Sequence, residues 1–242
     1  MLLHVVAAAF FWILLWQIAA MLVDSELILP SPVVTLQTLF VLIQEPDFLI
    51  KLGMTLLRVF GGIFLSCLIA FILGIICGLY EPLKILFQPF ASITRTLPVV
   101  SIIILINLWV SSGWVPLIVT FLMCFPIMWT NTVTGIHETD PAYLEMARTF
   151  GVSRKNILKG IYLPSVKPYV KAALINAVGM SWKATVTAEV LANARPSVGM
   201  SLYYAKAELE TPTLFAWTLL LIVISLIIEK ITKKIFGEGR AV

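Results

Sequence analysis

Between Leu52 and Tyr80 the chain carries one charged residue, Arg58, in an otherwise apolar run. About 20 apolar residues in a helix cross a bilayer core. In lipid only helices and closed barrels satisfy every backbone hydrogen-bonding group. A run this long is therefore expected to be a transmembrane helix. Similar runs cover about 4–23, 87–110, 114–133, 168–191 and 212–235. The expected fold class is an all-α integral membrane protein with about six transmembrane helices, residues 1–242 forming a single transmembrane domain. Composition agrees: 60% of residues are hydrophobic and 12% charged, against roughly 25% charged in a soluble domain. Residues 4–23 are expected to stay as a helix. No Lys or Arg precedes them, and they exceed the roughly 7–15 apolar residues of a signal peptide. Val33 to Ile43 is too short to span, so a short interfacial helix is expected there.

Small residues and prolines mark how the spans meet. Gly53, Gly61, Gly62, Gly74 and Gly78 fall in the second run, a density that lets neighbouring helices approach closely in lipid. Pro98, Pro116 and Pro126 sit within the third and fourth. Kinks along a pathway and simple packing irregularities are both open readings. Cys67, Cys77 and Cys124 lie in apolar runs without metal-ligand spacing, and buried cysteine behaves as a small hydrophobe. The sequence pI of about 9.0 does not point to nucleic acid, because the positive residues flank the spans. Segments 80–95, 134–171 and 229–242 hold twelve Lys or Arg; 24–51 and 192–211 hold Lys51, Arg195 and Lys206. Positive residues accumulate on the cytoplasmic side, so the 134–167 segment and both termini are expected inside.

The 134–167 segment is the polar exception in this chain. Asp140-Pro141 is a helix start, an N-cap acceptor followed by proline at the first helical position. Gly151 suits the left-handed position past a helix end. Tyr143, Ala147 and Phe150 recur at helical spacing and give one apolar face, and Glu145 and Arg148 stand close enough to pair. Ser153 is a candidate cap for a second short helix, which Leu163-Pro164 is expected to break. Two readings of the first helix stay open: a helix lying on headgroups, or a knob seated in a groove of a partner protein. Amphipathicity alone does not separate them.

An ionisable residue inside a span costs roughly 2.5–3.5 kcal/mol at a helix centre, and Arg58, Lys183 and Glu189 are candidates of this kind. Lys183 and Glu189 are six apart, on different helix faces, and make poor partners. Arg58 and Lys183 are read either as cation sites along a path for an anionic solute, or as a pair-forming arginine and a lysine bonded to backbone carbonyls. Asn176, Ser181, Trp182, Thr185 and Thr187 make the fifth span the most polar. It is the candidate pathway helix, with Arg58, Asn176, Trp182, Lys183, Thr185 and Glu189 as candidate lining residues.

Glu145-Met146-Ala147, three residues, Gly151, nine residues, then Ile161-Tyr162-Leu163-Pro164 resembles the loop by which ABC importer permeases grip their ATPases. Only Met146 departs from the Glu-Ala-Ala form. With Leu29-Pro30-Ser31-Pro32, Leu56-Leu57-Arg58-Val59, Ser181-Trp182-Lys183-Ala184, Ala188-Glu189-Val190 and Leu214-Phe215-Ala216-Trp217-Thr218, nearly the whole chain resembles the inner-membrane component of binding-protein-dependent importers of the nitrate/sulfonate/taurine type. The resemblance implies a type I ABC importer permease fold with a cytoplasmic coupling helix. It implies a homodimer in the bacterial inner membrane, a pair of ATPase subunits inside and an extracytoplasmic substrate-binding protein. It places ATPase coupling on Tyr143, Glu145, Met146, Ala147, Arg148, Phe150, Gly151, Ile161, Leu163 and Pro164.

The chain has no G-x-x-x-x-G-K-[ST] phosphate loop, so no cofactor is expected on it, and ATP and magnesium belong to the partner ATPase. An enzyme is disfavoured: His137-Glu138-Thr139-Asp140-Pro141 lacks the second histidine of a zincin motif, and there is no Gly-x-Ser-x-Gly elbow. A secondary carrier or channel is the rival, although matching inverted halves are not evident. The solute is left between a sulfonate-, taurine- or nitrate-like anion and a vitamin precursor such as a thiamine-related pyrimidine.

Overall fold

Two helices approach unusually closely at the centre of the protein, and glycine makes this possible. A Cβ on Gly62 would sit 2.6 Å from Thr120 Cβ and 2.9 Å from the Leu117 carbonyl oxygen. One on Gly74 would sit 2.7 Å from Thr132 Cβ. The helices are α3 (Phe48–Leu79) and α6 (Val115–His137), and the sequence expectation of close packing through small residues is met there. The computed structural model describes residues 2–236, with side chains described from residue 7 on except Ala9. The end of the basic tail, 237–242, lies outside the described residues, so its expected side is not addressed.

The remaining elements are all helical: α1 (Leu2–Val23), α2 (Pro32–Ile43), α4 (Glu81–Thr96), α5 (Val99–Trp109), α7 (Pro141–Thr149), α8 (Arg154–Ile157), α9 (Leu163–Leu191), α10 (Val198–Ala207) and α11 (Thr211–Phe236). α9 packs beside α6 and α3. Val59, Ile63, Cys124, Ala177, Val178 and Trp182 form the core at this three-helix meeting. Cys77 and Cys124 are buried, Cys67 is half-buried, and all three are free, as expected of packing cysteines. The outward faces are apolar: Trp12, Phe64 and Leu226 are each more than half exposed. α2 is the expected short helix, capped by Ser31, whose hydroxyl accepts from the Val34 N–H at 3.3 Å.

Two expectations need correction. The run 87–110 is not one straight span: α4 and α5 are bent by 108° at the break between them. Pro98 causes it, since proline disfavours helical backbone in the residue before it, and Leu97 is extended at φ −67°, ψ 134°. By length and apolarity among the described residues, α3, α6 and α11 can cross a membrane, with α4 and α5 together a fourth. α9 has the length, at 29 residues, but its polar residues lower its hydropathy. Finally, Leu163-Pro164 does not break the chain. A π-helical turn, Leu158–Tyr162, runs straight into α9, and the Leu163 N–H donates to the Leu158 carbonyl. The wide turn absorbs the donor that Pro164 lacks.

The α3–α6 contact gives a paired expectation. Gly62→Ala should destabilise despite alanine's better helix propensity, because overpacking costs about 1–3 kcal/mol. Gly53→Ala, with nothing within 4 Å of its Cβ, should be neutral or gain up to about 1 kcal/mol. Thermal unfolding of the detergent-solubilised protein should show opposite signs, and equal shifts would contradict the packing account.

Candidate functional site

α7 is held as a rigid unit by its own sequence. At its start the Asp140 carboxylate accepts from the Ala142 N–H at 2.9 Å, with Pro141 at the first helical position. At its end Gly151 adopts φ +64°; the Gly151 N–H donates to Arg148 O at 3.0 Å and the Val152 N–H to Ala147 O at 2.9 Å. This is a Schellman closure, so the expected cap and stop are both present. The exposed apolar face differs from the expectation. Ala147 is buried, while Tyr143, Met146 and Phe150 are 59%, 51% and 79% exposed. Met146, the departure from the resembling motif, is thus part of the tip. Glu145 and Arg148 make no ion pair among the described residues, and the Ser153 side chain makes no cap bond. Ile161 falls in the π-helical turn, and Leu163 and Pro164 open α9.

The candidate pathway residues divide into two groups. Ala172, Asn176, Met180, Lys183 and Thr187 are exposed along one stripe of α9. Lys183 joins no ion pair among the described residues and donates to no backbone carbonyl there. Trp182 and Thr185 face inward, at 5% and 0% exposure; the Thr185 hydroxyl bonds to that of Thr120.

Arg58 and Glu189 were expected along the path, yet they occupy each other. Arg58 Nη1 donates to Glu189 Oε1 at 2.8 Å and to Pro196 O at 3.0 Å, and Nε donates to Gly113 O at 3.2 Å. Glu189 also accepts from the Thr55 hydroxyl at 3.0 Å and from the Gly199 N–H at 3.1 Å. The carboxylate therefore sits at the N-terminus of α10, where negative charge is favoured. The node ties α3, α9, α10 and the loop before α6 together at the end opposite α7. Both residues are nearly fully buried, so neither offers a free charge to a solute. The six-residue separation of Lys183 and Glu189 pointed away from that pair, but no local spacing linked position 58 to 189.

One residue was missed. Arg95 was counted with a polar flank, but the bend after α4 brings it against α6. Its Nη2 donates to Pro126 O at 2.8 Å and to Thr130 Oγ1 at 2.7 Å. Those partners fall roughly 17 and 23 Å along α6 at about 1.5 Å per residue, well inside the span. Its place inside the 87–110 run was the available signal.

Residues 70–235 match the family described as binding-protein-dependent transport system inner membrane component. The chain belongs to that family. Its members are transport permeases, not enzymes, and this permease is a membrane protein of an ABC importer system. It is 23% identical to the taurine transport system permease of Escherichia coli, over 88% of this chain and 80% of that one. It is 25% identical to the formylaminopyrimidine transport permease of Halalkalibacterium halodurans, over 84% and 80% respectively. A crystal structure of an amino acid ABC transporter with histidines superposes with a TM-score of 0.62 at 15% identity, covering 79% of this chain and 92% of that one. That likeness concerns the fold alone, and the permease has the all-helical type I importer arrangement.

Proposed function

We propose that the permease forms the solute pathway of an ATP-driven importer and that α7 seats in a groove of a separate ATPase, which holds ATP and magnesium. The observation that carries this is the exposed Tyr143, Met146 and Phe150 tip on a helix closed at both ends. A headgroup-lying helix is held by basic residues around a broad apolar face, whereas a three-residue tip on a rigid mount fits a partner groove read as anchors on one helix face. The α7 side then faces the cytosol, with both termini, in agreement with the positive-residue bias. The assembly is a homodimer of permeases on an ATPase pair, in a bacterial inner membrane, with a substrate-binding protein outside and no nucleic acid partner.

The polar stripe of α9 supports the pathway. Asn176 and Lys183 cannot face lipid cheaply, and a water-filled path between two permease copies accommodates them. Lys183 favours an anionic solute of the sulfonate, taurine or nitrate class. The similarity to a formylaminopyrimidine permease favours a second reading, a neutral vitamin precursor, in which Lys183 serves only to line water. Co-purification tests the assembly: the permease should emerge with a nucleotide-hydrolysing polypeptide, and a permease isolated alone would favour a carrier. Lys183→Met tests the path. Uptake should fall about tenfold or more, the scale of one lost charge-assisted contact, while expression stays normal. Unchanged uptake removes Lys183 from it.

A further inference from the structure

A cleft of about 380 Å³ between α4 and α6 has no role in the reading above. Its mouth, toward the α7 side, carries charges of both signs. Lys84 reaches Glu81 at 3.0 Å, His137 lies 3.9 Å from the same carboxylate, and Glu138 adds a second acid. Deeper along both helices the lining turns to Gln88, Ser92 and Thr130, and ends at Arg95. No acid lines that deep end. Arg95 engages Pro126 O and Thr130 through Nη2 alone, so its Nε and Nη1 donors have no acceptor among the described residues. Trp129 also lines the cleft.

We propose that this cleft is an anion site on the inner half of the permease, holding the sulfonate or carboxylate head of the solute against Arg95. The free Nη1 group can donate a charge-assisted hydrogen bond to one oxygen of such a head, and the Gln88 amide and Ser92 hydroxyl supply donors for the others. Arg95 supplies the positive charge that holds an anion at the deep end, while the acids at the mouth keep the exit from trapping it, which suits the last stop before release. The site deepens the importer reading, which it needs only for its place in the path. An anionic phospholipid head offers the same oxygens, but it must bring its two acyl chains past Gln88, Ser92 and Thr130; a free solute fits better.

The test uses the purified permease complex in phosphatidylcholine nanodiscs, titrated with iodide, an anion that quenches indole fluorescence. The expected result is a saturable quenching phase that Trp129→Phe removes and that excess methanesulfonate displaces. Arg95→Gln should shift its midpoint by about tenfold or more; should that variant fail to assemble, Arg95→Lys carries the test with a smaller shift in the same direction. A saturable phase that survives Trp129→Phe, or that neither Arg95 variant moves, overturns the site. Loss of the phase on adding phosphatidylglycerol to the disc assigns the cleft to lipid and overturns the solute site. ATPase content is measured in the same preparations, and its absence from the wild type defeats the importer reading while the quenching result stands on its own.

Discussion

Arg58→Met is expected to cost about 3–5 kcal/mol, because it leaves the Glu189 carboxylate buried without its counter-charge. The loss should appear as a collapse of monodisperse protein on size-exclusion chromatography and a much lower unfolding temperature in detergent. Glu189→Gln should do less harm, since the amide keeps one oxygen for Thr55 and Gly199. Combining Arg58→Met with Glu189→Met removes both charges and should recover part of the loss, as replacement of buried pairs by apolar side chains often does. Recovery should stay incomplete. The Gly199 N–H and the Gly113 and Pro196 carbonyls would lose their partners, and unsatisfied buried groups cost about 1–3 kcal/mol each. A double variant no better than Arg58→Met would show that the two residues act separately, against the node described here.

The second large effect concerns α7. Gly151→Pro forces φ near −65° where the chain needs +64°, so the Schellman closure cannot form and the tip loses its mount. Nothing lies within 4 Å of a Cβ at this position, so the change acts through the backbone and spares the membrane core. Glu145→Arg, added to it, reverses a charge beside the tip. The double variant should insert normally and lose at least about tenfold of its bound ATPase, measured as ATPase recovered per permease after affinity purification. Full retention would place the docking elsewhere.

Much of this was legible in the sequence, for identifiable reasons. Local signals held: Asp140-Pro141 and Gly151 delimit α7 where their backbone chemistry requires, and the short apolar run after Pro32 forms α2. The glycines of α3 told of close packing without naming α6 as the partner. What failed was long-range. A proline inside an apolar run indicates a kink but not its size, so neither the 108° turn after α4 nor the bonding of Arg95 to α6 could be placed. Arg58 and Glu189 come together across 131 residues, a distance no periodicity encodes. The face of α7 was misassigned because Ala147 and Met146 satisfy helical spacing about equally well; which one turns outward depends on the rotation set by the two caps.

The most direct measurement is labelling of Phe150→Cys by a membrane-impermeant maleimide. The native cysteines are buried or half-buried within helices and compete little. Position 150 should react in inverted vesicles, stay unlabelled in right-side-out vesicles, and become protected when the ATPase is bound. Labelling from the external face, or equal labelling with and without bound ATPase, would contradict the claim that this tip is where the permease meets its ATPase.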